Sequence, residues 1–141
     1  MAVNKAVVKN LMDNLKANIA AIENKDVSLE QILEDTDIQA ILDRKMQLSV
    51  EACIDISAHL AAGLDLPREE RAGDLFLVLG EKGIISRELA QKMAQAVGFR
   101  NILVHEYTKI DYQLAYSNLD EKLRDLKTFA KEVLKFLEKQ K

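Results

Sequence analysis

Residues 99–107 read Phe-Arg-Asn-Ile-Leu-Val-His-Glu-Tyr, and they hold the side chains best suited to reaction chemistry. The Arg100 guanidinium is a planar fork able to grip two oxygens of an anion such as phosphate. His105 carries an imidazole, a side chain that can both take and give a proton. Asn101 adds a donor and an acceptor, and Tyr107 a phenol. If the helix through Phe99 continues, Arg100 and Tyr107 are seven residues apart on one face, and Asn101 and His105 are four apart on an adjoining line. Arg100 and His105 then lie about 140° apart around an ideal helix. Their convergence within one chain requires the helix to distort, and the spacer Glu106 to Ile110 is where a break is expected.

The elements that position these residues follow from apolar periodicity. Val7, Val8, Leu11, Leu15, Ile19 and Ile22 line one side of a helix over 4–23. Ser28 is a cap for a short segment through Leu33. Asp37 is the expected cap of a long helix, bearing Ile38, Leu42, Met46, Cys53, Ile56, His59 and Leu60 inward and stopping at Gly63 ahead of Pro67. A helix over 68–82 buries Leu75, Phe76 and Leu79. Gly83 supplies a left-handed exit and Ser86 caps the helix from 86 to about 104, with Leu89, Met93 and Val97 inward. The last helix is expected from Asp111 to about 138, with Leu114, Leu119, Leu123, Leu126, Phe129 and Val133 inward. Short links and the absence of strand alternation point to an all-α, up-and-down bundle of four to five main helices. The long second and last apolar stripes exceed what their partners cover, so a homodimer is expected.

Composition narrows the function. The 141 residues suit one domain, 1–141, with one core. With 48% apolar and 30% charged residues, 5 Gly and 1 Pro, disordered, collagenous and turn-rich β classes are disfavoured. Cys53 is the single cysteine, so no internal disulfide forms, and no apolar run suggests a membrane span; a cytoplasmic protein is expected. The net charge of −3 excludes bulk attraction to nucleic acid. Residues 26–65 carry nine carboxylates against Arg44 and Lys45, while residues 121–141 carry seven basic side chains against four acidic. Because Glu132 and Glu138 lie among Lys131, Lys135 and Lys139, the basic end reads as an ordinary solvated helix face.

Arg100, His105 and Tyr107 match the Arg-x4-His-x-Tyr signature of the HEPN superfamily, and the stretch RNILVHEYTKID resembles the HepT-like ribonuclease toxins encoded beside minimal nucleotidyltransferase antitoxins. EACIDISAHL at 51–60, GII at 83–85 and the helix order carry the same likeness over nearly the whole chain. The resemblance implies metal-independent RNA cleavage, with no cofactor and no metal site. Such cleavage needs a base for the 2′-hydroxyl proton, an acid for the departing 5′-oxygen and a cation for charge on phosphorus. His105 suits the first two roles and Arg100 the third, with a two-fold dimer supplying both copies of His105. Asn101 is expected in support, holding the imidazole or binding phosphate. Tyr107 resembles the tyrosine that the partner nucleotidyltransferase modifies with AMP. The expected partners are RNA, a second copy of the chain and the cognate nucleotidyltransferase.

The same residues have structural explanations. Arg100 can pair with Glu51 or Asp55, and His105 can bond carbonyls at a helix end. His59 is expected as a hydrogen-bonded core or interface histidine, and Cys53 as a small buried hydrophobe. A non-catalytic subunit that binds a nucleotide or presents Tyr107 to a nucleotidyltransferase is the rival function, and a helical adaptor a third.

Overall fold

Short polar side chains start most of the helices. The computed structural model describes residues 3–140, apart from the Tyr107 side chain. Among them are seven α-helices: α1 Lys5–Lys25, α2 Leu29–Glu34, α3 Thr36–Gly63, α4 Ala72–Glu81, α5 Arg87–His105, α6 Tyr112–Tyr116 and α7 Leu119–Glu138. A 3₁₀ turn occupies Tyr107–Lys109. The five helices of ten or more residues are the main elements expected, and no strand occurs among the described residues. Asn4 caps α1 by accepting the Val7 N–H at 3.2 Å. Ser28 and Gln31 form a reciprocal capping box on α2, with bonds of 3.1 and 2.8 Å.

Several expectations are corrected. The cap of α3 is Asp35, not Asp37: its extended backbone lets the carboxylate accept from the N–H groups of Asp37 and Ile38, at 2.9 and 3.2 Å. The next helix does not begin at 68. Asp65 turns the chain in the left-handed region, at φ 55°, and the Leu66 N–H reaches back to the Ala61 carbonyl at 2.9 Å. The charged run 68–71 has nothing apolar to bury, so α4 begins only at Ala72, where Leu75, Phe76 and Leu79 can pack. The last helix is broken at Ser117 and Asn118 into α6 and α7. There the Ser117 hydroxyl donates to the Leu114 carbonyl at 3.4 Å and the Lys122 ammonium to the Ala115 carbonyl, so side chains satisfy carbonyls that a continuous helix would bond to its own N–H groups. Leu114, expected inward, is 74% exposed because Tyr112 and Tyr116 occupy the inward side of α6.

The core draws on α1, α3, α4, α5 and α7, with Phe76 of α4 meeting Phe129 of α7 edge to face at 5.6 Å. Cys53 is fully buried within it. His59 is exposed, correcting the core reading: Ile56 and Leu60 point inward, while His59 shares an outer flank with Asp55 and Ala62. Gly83, at φ 75°, makes the expected left-handed exit from α4, and Ser86 caps α5 by accepting the Leu89 N–H at 3.1 Å. α4 and α5 approach closely at Gly80, where an added Cβ would meet the Ala90 Cβ at 2.7 Å. Gly80→Ala is therefore expected to destabilise the fold by about 1–3 kcal/mol through overpacking. A lowered denaturation midpoint checks this, and an unchanged one would show that the two helices part freely. No helix among the described residues is long and apolar enough to cross a membrane.

Candidate active site

Every fourth residue of α3 from 43 to 55 is polar: Asp43, Gln47, Glu51 and Asp55. That spacing draws one row along the helix. Its upper part meets the end of α5 and the short α6. The Glu51 carboxylate accepts from Gln47 Nε2 at 3.1 Å and lies 3.7 Å from Arg100 Nη1 by the same oxygen. Of the two carboxylates expected to hold Arg100, Glu51 is the partner; Asp55 is exposed and borders a shallow groove with Asn14 and Asn18.

The Arg100 side chain is 22% exposed, and its Nε is buried with no hydrogen-bond partner among the described residues. The guanidinium is thus held against α3 by a single loose ion pair, with hydrogen-bonding capacity unused. Asn101 and His105 are exposed, and Ile102 between them is 42% exposed. α5 stays helical to His105, and the Glu106 N–H still bonds the Ile102 carbonyl at 2.9 Å. With α5 helical through both residues, ideal geometry sets Arg100 and His105 about 140° apart around it. The break falls after His105, at Glu106, where the 3₁₀ turn Tyr107–Lys109 begins. The environment of the Tyr107 phenol lies outside the described residues.

Beyond that turn, Asp111 caps α6 by accepting the Leu114 N–H at 3.1 Å. Tyr112 and Tyr116 donate to the two oxygens of Asp43 at 2.5 and 2.6 Å, their rings stacked 5.9 Å apart. Tyr116 also meets Phe99 edge to face at 6.0 Å, and the Lys122 ammonium sits 4.0 Å above the Phe99 ring. Burial first, and the bonds to Asp43 next, push both phenols above the ordinary tyrosine range, so they remain protonated donors. Burial lowers the Lys122 ammonium from its usual value. Sequence reasoning missed this clamp. Its signal was two tyrosines four apart after a capping aspartate, and an Asp43 interrupting the stripe between Leu42 and Met46.

Chemically, the end of α5 offers a guanidinium with spare donors, an exposed amide and an exposed imidazole, on a base fixed by α3 and α6. These features define an all-α bundle that gathers a guanidinium, an amide and an imidazole at one helix end. The family model described as Ribonuclease HepT-like matches residues 15–133, and the chain belongs to that HepT-like family. A tRNA nuclease HepT of Aphanizomenon flos-aquae is 30% identical over 113 residues, covering 80% of this chain and 77% of that protein. An mRNA nuclease HepT of Shewanella oneidensis is 26% identical, over 87% of this chain and 92% of that one. The tri-AMPylated Shewanella oneidensis HEPN toxin, solved in complex with MNT antitoxin, superposes with a TM-score of 0.86 at 25% identity, covering 92% of this chain and 97% of that one.

Proposed function

We propose that this chain is a metal-independent endoribonuclease and the toxin of a two-gene toxin–antitoxin pair, acting in the cytoplasm as a homodimer. The observation that carries the reading is the solvent-open end of α5 in a member of a ribonuclease family: His105 and Asn101 are exposed, and Arg100 on the same helix end has unused hydrogen-bonding capacity. In the reaction, one His105 imidazole takes the proton of a ribose 2′-hydroxyl. The freed oxygen attacks the adjacent phosphorus, and the departing 5′-oxygen takes a proton from the imidazolium of a second His105. This leaves a 2′,3′-cyclic phosphate and a 5′-hydroxyl. Arg100 grips the non-bridging oxygens as charge builds on them, and Asn101 holds phosphate or imidazole.

The second copy is needed because a straight α5 keeps Arg100 and His105 of one chain on different sides. Ile102 and His105 are three apart and share a face. A partner covering exposed Ile102 would bury it and bring its own residues against His105. A toxin needs restraint, and in this reading a cognate minimal nucleotidyltransferase transfers AMP to Tyr107, which opens the turn directly after α5. The added negative charge opposes entry of an RNA phosphate. The AMPylated state and antitoxin complex of the Shewanella protein support this reading.

Purified protein is expected to cut RNA with a chelator present and to lose that activity on Arg100→Ala with folding intact. Expressed alone it is expected to arrest bacterial growth, and co-expressed with the cognate transferase to gain one or more AMP groups on Tyr107 by mass spectrometry. Nucleotide binding without cleavage would instead favour a non-catalytic subunit, and modification at another residue would remove Tyr107 from the scheme.

A further inference from the structure

The basic end of the chain differs in the folded molecule from its appearance in sequence. Glu132, the carboxylate that stands among its lysines, is engaged: it accepts the backbone N–H of Ser86 at 2.7 Å, tying α7 to the start of α5. Arg87, Lys131, Lys135 and Lys139 line one open groove of about 760 Å³ beside that bond, against Glu132 as the single carboxylate of its lining. Among the described residues none of the four is in an ion pair. Glu138 lies outside the groove lining. Four cations thus gather on a protein whose net charge is −3.

Spacing adds to charge. Lys131 and Lys135 are about 6 Å apart along α7, and Lys139 follows one further turn on as its C-cap. That is close to the separation of successive phosphates on an extended ribonucleotide strand, and Arg87 faces them from α5. The groove lies far from the proposed reaction centre, since Arg87 and Arg100 are about 20 Å apart along the helix axis.

We infer that this groove is a second RNA-binding surface, which holds the phosphate backbone of the substrate away from the cleaved bond. The inference rests on the ribonuclease reading. A large RNA engages both surfaces, whereas a short oligonucleotide seated at Arg100 and His105 does not reach the groove. The attraction is electrostatic and backbone-directed, so it confers affinity and a preference for length without reading sequence.

The test is a triple variant, Lys131→Gln, Lys135→Gln and Lys139→Gln, at positions exposed to solvent. Binding of bulk transfer RNA and of a short single-stranded oligoribonucleotide is titrated against salt, using a His105→Ala background so that substrate survives. With three lysine charges removed, the slope of log K against log salt for transfer RNA is expected to fall by about 2, at about 0.7 per phosphate on a single strand. Cleavage of the short oligonucleotide by the triple variant with His105 intact is expected to be unchanged. Equal affinities and slopes for parent and variant, while the parent still cuts RNA, overturn the groove alone. Failure of the parent to bind or cut any RNA overturns both readings. Unchanged RNA binding with a weakened complex with the cognate antitoxin also overturns the inference and assigns the groove to a protein partner.

Discussion

His105→Ala is expected to lower RNA cleavage by about 10²–10⁴-fold, the contribution ordinary for a positioned general acid–base group. The side chain is exposed at the end of α5, so its removal leaves no cavity and the thermal midpoint should stay put. In the proposed dimer the loss has a distinctive pattern. If one imidazole acts as base and the other as acid, a mixed dimer with one wild-type and one alanine subunit falls well below half the wild-type rate. Independent sites would give half. Both measurements use the same purified protein, with circular dichroism as the control for folding. Cleavage unchanged by the substitution would remove the imidazole from the mechanism, and a mixed dimer at half rate would remove the shared site.

The largest expected effect on stability belongs to Phe129→Ala. Phe129 is fully buried, packs edge to face on Phe76 and joins α7 to α4. Losing the ring costs its transfer free energy and leaves a cavity that rigid helices fill poorly, about 3–5 kcal/mol in all. A domain of this size is stable by about 5–15 kcal/mol, so the variant is expected to sit close to its unfolding threshold at moderate temperature. Chemical denaturation should show a strongly lowered midpoint at an unchanged slope. A shift below about 1 kcal/mol would mean that neighbouring side chains collapse into the space, contrary to the packing described.

What sequence periodicity conveys is local. The spacing of Leu15, Ile19 and Ile22, or of Leu89, Met93 and Val97, fixes which side of each helix turns inward, and those residues are buried. The caps at Ser28, Ser86 and Asp111 were legible because a short polar side chain before an apolar run has one favoured use. Position 114 misled for the same local reason: leucine fits the stripe, but the tyrosine pair flanking it had a partner 69 and 73 residues away in Asp43. Periodicity carries no information about such distant hydrogen bonds. His59 misled similarly, since three-residue spacing from Ile56 suits the inner face and the flank alike. At the candidate site, the residue types Arg100, Asn101 and His105 were legible, and so was Glu51 as one of two partners. The end of α5 was legible too, since the helix breaks at Glu106, within the spacer where the break was expected.

Cys53 gives the molecule a silent reporter. It is the chain's one cysteine, completely buried on α3, and burial pushes its thiol above the ordinary range. An alkylating reagent therefore finds no thiolate to attack until the helices around α3 come apart. The native chain should tolerate mild oxidants, and the rate at which added iodoacetamide labels it would count excursions of the whole bundle without any engineered probe.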